Sequence, residues 1–271
     1  MPELPEVETT RRGLEPHLRG RVIAAVAVHE PRLRWPVSPR LPALLRGQKI
    51  LAVERRAKYL LLRLETGTLL LHLGMSGSLR ILPIDTPRLT HDHLELRLDS
   101  GQVLRLNDPR RFGSCIYTVD APDIHPLLRN LAPEPFDDAF NADYLCEVTR
   151  GRRVSIKQLV MNGQLVTGVG NIYASEALFR ARIRPQRAAR RLTPAECGAL
   201  VKAIRAVLQL ALRSGGTTLR DYVSADGTPG YFRRKLNVYE RAGQPCRRCR
   251  TPVRQLVQGQ RSTYYCPACQ S

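Results

Sequence analysis

The chain has 271 residues, 43% of them hydrophobic, and its 43 Lys plus Arg against 24 Asp plus Glu give 43 − 24 = +19, with a pI near 10.4. It is long and apolar enough to bury a core as one large or two modest domains, which excludes a disordered tail protein, and the charge excess calls for a polyanionic partner, nucleic acid before anionic membrane. There is no apolar run of about 18 residues, and Glu3, Glu6 and Glu8 interrupt the amino terminus, which excludes a membrane span and a secretory leader and sets the expectation of a cytoplasmic protein.

The chain opens Met1-Pro2-Glu3-Leu4-Pro5-Glu6. A small residue after the initiator lets Met1 be clipped, leaving Pro2 with a secondary amine whose pKa near ~8 keeps a nucleophilic fraction uncharged at neutral pH. Such an amine forms an iminium with an aldehyde-like carbon, and the iminium is a permanently cationic electron sink. Glu3 beside it can move a proton. A Met-Pro start also occurs with no chemistry attached, so the rest of the chain must decide. A helix is predicted over about 5–18, with Glu6 and Glu8 in its first turn and Gly20 past its end. Strand-like runs follow at Val22–His29, Ile50–Arg56, Tyr59–Glu65, Thr68–Leu73, Ser78–Leu82, His93–Asp99, Val103–Leu106 and Ser114–Val119. Thr66-Gly67 and Ser100-Gly101 read as hairpin turns, and this short spacing predicts an antiparallel sandwich or barrel.

Within this half, Lys58 lies between Ala57 and the apolar run from Tyr59, either on a solvated face or as a second amine near Pro2. His72-Leu73-Gly74-Met75-Ser76-Gly77 is a glycine-flanked turn with Met75 at its tip or filling a core gap. Asn107-Asp108-Pro109-Arg110-Arg111-Phe112-Gly113 is a turn in which an arginine could hold phosphate while Phe112 wedges between bases, or packs inward as in an ordinary hairpin.

Four prolines (Pro122, Pro126, Pro133 and Pro135) mark a linker, after which the hydrophobic period becomes helical. Thr167-Gly168-Val169-Gly170-Asn171 precedes a helical stretch at Ile172–Arg182, a start at which backbone N–H groups can bind phosphate. Thr193-Pro194-Ala195-Glu196 is a capping box, and Leu200, Ile204, Val207, Leu208, Ala211 and Leu212 form the predicted core face of its helix. Residues 215–232, rich in Gly, Thr, Asp and Ser, read as a long functional loop.

Cys115, Cys146 and Cys197 have no mutual spacing and read as small buried hydrophobes. Cys246-x2-Cys249, sixteen intervening residues and Cys266-x2-Cys269 have the spacing of a closed, tetrahedral four-cysteine zinc site, which is structural and leaves no position for catalysis. Residues 231–271 hold nine Arg or Lys and a single acid, Glu240, more positive charge than stapling a hairpin requires.

Taken together, PELPEVE, RRAKYLLL (55–62), HLGMSGSLR (72–80), NDPRRFG (107–113), TGVGNIYASEALF (167–179), SGGTTLRDY (214–222) and the finger ending QRSTYYCPAC resemble bacterial formamidopyrimidine-DNA glycosylase over the whole chain. The resemblance implies an α+β fold: an N-terminal helix plus a two-sheet antiparallel β-sandwich (1–132), a helix–two-turn–helix domain (133–235) and a C-terminal zinc-finger β-hairpin (236–271). It implies a base-excision-repair enzyme that removes oxidised purines from damaged double-stranded DNA and nicks the strand by β,δ-elimination, needing one structural zinc ion and no catalytic metal or organic cofactor, and working as a monomer without a membrane. By resemblance Pro2 is the Schiff-base nucleophile, Glu3 the proton shuttle, Lys58 the lysine of β-elimination and Arg261 the arginine of δ-elimination. His91, Arg110, Arg152 and Asn171 fall on DNA-contact positions, although Arg150-Gly151-Arg152-Arg153 departs from a lysine-rich family pattern. Met75, Arg110 and Phe112 resemble the trio that fills the gap left by the flipped base, and loop 215–232 the one that closes over the lesion. The competing expectations are an endonuclease VIII-like enzyme for oxidised pyrimidines and a non-enzymatic zinc ribbon that only binds nucleic acid; Leu4, the Met75/Arg110/Phe112 trio and the long loop favour the purine enzyme over the first.

Overall fold

The computed structural model describes residues 2–216 and 235–271. Two compact units are present, one built from the chain up to Arg129, the other from Asn130–Arg213 and the carboxy-terminal segment.

The first unit begins with helix α1 (Leu4–Leu18), whose amino end is held by reciprocal bonds between Glu3 and Glu6, a capping box with a glutamate in the capping position. The helix stops where Gly20 takes φ +80, and the Gly20 N–H donates to Ile50 O at 2.7 Å. Eight strands follow: β1 (Ile23–Val28), β2 (Ile50–Arg56), β3 (Tyr59–Leu64), β4 (Gly67–His72), β5 (Ser78–Pro83), β6 (Asp92–Leu98), β7 (Gln102–Asn107) and β8 (Ser114–Thr118), with a short helix α2 (Leu41–Leu45) between the first two. They form two antiparallel sheets ordered β1-β6-β7-β5 and β2-β3-β4-β8. All eight predicted strands are present with shifts of a residue or so at their ends; Val119 falls beyond β8 and is 75% exposed.

Alternation explains the sandwich. Leu60, Leu62 and Leu64 of β3 face Leu69, Leu71 and Leu73, and these join Leu94, Leu96, Leu98, Leu104 and Leu106 of the other sheet and Val7, Leu14 and Leu18 of α1 in one core. Each fully buried leucine contributes about 1.5–3 kcal/mol by leaving water. Helix α1 is tied to β2 by Arg11 Nη1 donating to Val53 O (3.3 Å) and by the Arg55–Glu8 ion pair (3.2 Å), which holds the start of the chain against the sheet that carries Lys58.

The second unit is helical: α3 (Ala142–Thr149), α4 (Ile156–Val160), α5 (Asn171–Arg180) and α6 (Pro194–Arg213). The predicted box at Thr193 is made, with Thr193 N–H donating to Glu196 Oε2 (2.8 Å) and Glu196 N–H to Thr193 Oγ1 (3.3 Å). Two expectations need correction. Leu212 is only half-buried, and α5 ends at Arg180 rather than Arg182, because Arg182 adopts φ +61 and leaves the helical basin. Cys197 is buried as expected, whereas Cys146, unrelated to it in sequence, is only half-buried. Packing of α3 on α6 brings their thiols into contact, and Cys197 is raised to about 12 by burial and then by the Cys146 thiol. The chain ends in the hairpin β9 (Arg254–Gln258) and β10 (Arg261–Tyr265), packed on α5.

Candidate active site

In the first unit, Pro2 is buried immediately ahead of α1, and Glu3 is 1% and Glu6 2% exposed. Glu3 N–H donates to Glu6 Oε2 at 2.9 Å, so the two acids that shape the helix start also fix the backbone that leads out of Pro2. Gly216 belongs to the same environment: a Cβ there would lie 3.2 Å from Glu6 Oε1, and its φ of +80 suits glycine. Beyond Gly216 the predicted loop lies outside the described residues.

Lys58 occupies the second position of the two-residue β2–β3 turn, where Arg56 pairs with Tyr59. Ala57 takes φ +54 and its carbonyl accepts from Arg55 Nη1 at 2.9 Å. Lys58 is therefore half-buried on a tight turn, not displayed on a strand face. Next to it is His72, in sequence one residue of a glycine-flanked turn. His72 Nδ1 accepts from Gly74 N–H (2.9 Å), and Tyr59 packs against its ring at 4.8 Å between centroids. Burial, then the Lys58 and Arg34 cations, lower its pKa from 6.5 to about 4, so the imidazole is neutral at pH 7. Unfolded His72 takes up a proton as pH falls through 6.5, whereas folded His72 does so only near 4, so stability falls with pH across that window. Thermal unfolding of the native chain should lose more between pH 7 and 4.5 than that of His72→Asn; parallel curves would contradict the assignment.

The turn that carries Met75 meets the one that carries Arg110 and Phe112. Arg110 lies over the Phe112 ring at 4.8 Å, a cation–π contact, and Arg110 N–H donates to Ser76 Oγ at 3.3 Å. Phe112 is 44% exposed, so it does not pack inward, and Met75 is half-buried. Exposed His91 sits beside this group, its carbonyl accepting from Asp108 N–H at 3.0 Å. The neighbouring Asp92, 0% exposed, steadies that corner by accepting from Arg80 Nη2 (2.5 Å), Asn107 Nδ2 (2.9 Å) and Leu89 N–H (2.9 Å).

In the second unit, Asn171 opens α5 after Gly170, and Gly168 takes φ +79. Asn171 Nδ2 donates to Ser262 O (3.0 Å), the residue after Arg261, so the start of α5 and the finger hairpin are joined. Lys157, which the sequence reading did not single out, makes that joint: 1% exposed, its Nζ donates to Asn171 Oδ1 (2.6 Å), Thr263 Oγ1 (2.7 Å) and Ser262 O (3.0 Å). A compact ammonium with three tetrahedral donors suits this point, where a planar guanidinium would not. Its rarity was the available signal, since only five of the 43 basic residues are lysines. Glu176, 1% exposed, accepts from the backbone N–H groups of Asn237, Val238 and Tyr239, which secures the chain entering the finger. Arg152 is not brought to this cluster by any bond of its guanidinium that the structure shows; its Nε donates to Val148 O at 2.7 Å, back onto α3. Arg261 is exposed at the first position of β10.

The sulfurs of Cys246, Cys249, Cys266 and Cys269 all lie within 4.8 Å of one another, with Cys246–Cys269 at 4.0 Å and Cys249–Cys266 at 3.4 Å. A zinc–sulfur bond of about 2.3 Å implies a tetrahedron edge of about 3.8 Å, so the cluster fits that ion. Zinc here would cross-link the hairpin, and with four thiolate ligands it leaves no coordination position for a substrate.

Three family models match the chain: formamidopyrimidine-DNA glycosylase N-terminal domain over residues 1–115, formamidopyrimidine-DNA glycosylase H2TH domain over 131–223, and the zinc finger found in FPG and IleRS over 243–271. The formamidopyrimidine-DNA glycosylase of Thioalkalivibrio sulfidiphilus is 61% identical over 270 residues, covering 100% of each chain, and that of Alcanivorax borkumensis is 56% identical over 271 residues with the same coverage. Among solved structures, MutM (Fpg) from Thermus thermophilus has a TM-score of 0.90 at 42% identity, covering 99% of this chain and 98% of that one. A Lactococcus lactis Fpg mutant in complex with Fapy-dG-containing DNA has a TM-score of 0.91 at 34% identity, covering 100% of both chains.

Proposed function

The chain belongs to the formamidopyrimidine-DNA glycosylase family, and from that premise we propose the division of labour among its residues. It is a base-excision-repair glycosylase for oxidised purines with AP lyase activity, acting on damaged DNA and stapled by a structural zinc. Among the described residues no helix is long and apolar enough to cross a membrane. A monomeric enzyme working in the cytoplasm on nucleoid DNA completes the reading.

A base in a duplex must be extruded at a cost of a few kcal/mol, and Met75, Arg110 and Phe112 offset that cost by filling the gap. The Pro2 amine attacks C1′ as the base departs with a proton supplied by acid catalysis, and Glu3 shuttles protons during formation of the iminium. The iminium acidifies the C2′ protons. Lys58 assists loss of the 3′ phosphate by β-elimination, and Arg261 assists loss of the 5′ phosphate by δ-elimination. His91, Arg110, Arg152 and Asn171 contact the DNA. The segments 1–132, 133–235 and 236–271 serve as catalytic sandwich, helix–two-turn–helix and zinc hairpin.

The observation that carries this assignment is the Glu3–Glu6 capping box, which places Pro2 directly ahead of the first helical turn with a carboxylate beside it. Borohydride should trap a covalent adduct with an 8-oxoguanine duplex, and turnover should be at least about tenfold faster than on thymine glycol, as expected where a site reads the edge of its base. Preference for thymine glycol would transfer the chain to the pyrimidine-specific sister activity, and binding without strand scission would leave only the zinc-ribbon reading.

A further inference from the structure

We propose that Asp108, acting with Ser76, is a positioning residue that locks the two wedge-bearing loops into one rigid unit and so sets the rate of base extrusion. The inference rests on the wedge role given above to Met75, Arg110 and Phe112.

Asp108 is 0% exposed. Its Oδ1 accepts from Ser76 Oγ at 2.8 Å and its Oδ2 from Gly113 N–H at 2.7 Å, so one carboxylate spans the turn after β4 and the turn after β7. Ser76 in turn accepts from Arg110 N–H at 3.3 Å. Each wedge residue thus adjoins a bond of this network: Met75 precedes Ser76, Arg110 donates to it, and Phe112 precedes Gly113. The backbone of Asp108 closes the turn, its N–H donating to His91 O (3.0 Å) and its carbonyl accepting from Arg111 N–H (3.1 Å), with His93 Nε2 at 2.9 Å from the same oxygen.

Sterics make the link stiff. Gly74 has φ +62, and a Cβ on it would meet Phe112 C at 2.4 Å and Gly113 N at 2.5 Å. A Cβ on Gly113 would meet His72 O at 2.8 Å and Asp108 Oδ2 at 3.0 Å. The loops therefore touch backbone to backbone. The carboxylate's bonds run to a hydroxyl and a backbone amide, not to a cation. A buried charge satisfied in this way is a costly choice for stability alone, yet its charge-assisted bonds are short and directional, which suits a part that must hold position while bases part.

The test compares a paired 8-oxoguanine duplex with a single strand carrying a preformed abasic site, which has no base to extrude. Asp108→Asn is near-isosteric but cannot accept at both oxygens, and Ser76→Ala removes the bond to Asp108 Oδ1 together with the one from Arg110 N–H while leaving the Asp108–Gly113 bond. Either variant should lower kcat on the paired lesion about 10- to 100-fold, the value of a hydrogen bond to a charged group, with abasic cleavage changed by less than about threefold. The deficit should shrink when 8-oxoguanine lies opposite an abasic nucleotide, where less pairing must be broken. Equal losses on both substrates, or none on the paired lesion from the Ser76→Ala variant, would overturn the proposal. Phe112→Ala is the control. If it slows the paired lesion while Asp108→Asn does not, only this inference fails; if Phe112→Ala has no effect, the wedge reading fails and this inference with it.

Discussion

A chain that keeps any residue ahead of Pro2 should fold and bind duplex DNA normally, yet lose borohydride trapping and strand cleavage by roughly a thousandfold or more, the scale of removing a nucleophile. In that chain the Pro2 nitrogen is an amide whose lone pair is delocalised into the carbonyl, so it cannot attack C1′. Folding should be spared because the bonds that order the helix start do not use this nitrogen: they run between Glu3 and Glu6, and Val7 N–H donates to Glu3 O at 3.1 Å. The measurement pairs trapping on an abasic duplex with a binding isotherm and a thermal melt of the same preparation. Loss of trapping at unchanged affinity and melting temperature isolates the amine. Lys58 supplies the alternative, because it too carries an amine and lies half-buried on the adjoining sheet. Trapping that survives the extension and disappears in Lys58→Met would move the nucleophile there.

Local chemistry was legible and long-range chemistry was not. Strands announced themselves because short apolar runs such as Tyr59–Leu64 and Gly67–His72 meet at turn residues like Thr66-Gly67, and α6 because Thr193 and Glu196 cap a face repeating at helical spacing. The cysteine cluster needed only its spacing, since two short knuckles bring four sulfurs together whatever the rest of the chain does. By contrast, Lys157 meets its finger partners Ser262 and Thr263 across 105 and 106 residues, and Asp108 meets Ser76 across 32. No periodicity encodes such pairings; they follow from how whole elements pack. The same limit applies to Cys146 and Cys197, which become neighbours only once α3 lies on α6. Side-chain direction is a further step away: Arg152 matches a DNA-contact position by resemblance, but its guanidinium turns back to Val148 O. Exposure of Phe112 likewise depends on the loop contact at Gly74, which no local pattern reports.

Removing zinc, by chelation or by Cys246→Ser, should unfold the finger hairpin and weaken DNA binding at least about a hundredfold while the β-sandwich stays folded, because structural zinc contributes on the order of 10–16 kcal/mol of apparent folding free energy. The hairpin β9–β10 has two strands, too few to persist in water on their own hydrogen bonds. Its apolar support is a small cluster of Phe179, Val238, Val253 and Tyr264 around Cys246 and Cys266. Without the ion, four thiol groups packed within 4.8 Å lose the bonds that hold them. The damage should then pass to Asn171, since Lys157, whose ammonium binds Asn171 Oδ1, would lose its bonds to Ser262 O and Thr263 Oγ1. The proposed δ-elimination residue Arg261 and the proposed DNA contact Asn171 would therefore fail together although only one lies in the finger. Hydrogen exchange distinguishes this from a local effect: after chelation, amides of Arg254–Gln258, Arg261–Tyr265 and the first turn of α5 should all lose protection, while those of Tyr59–Leu64 and Gly67–His72 keep it. Protection retained at the start of α5 after the hairpin has opened would show that Lys157 does not couple the two. Full DNA affinity in the metal-free chain would remove the finger from the binding surface.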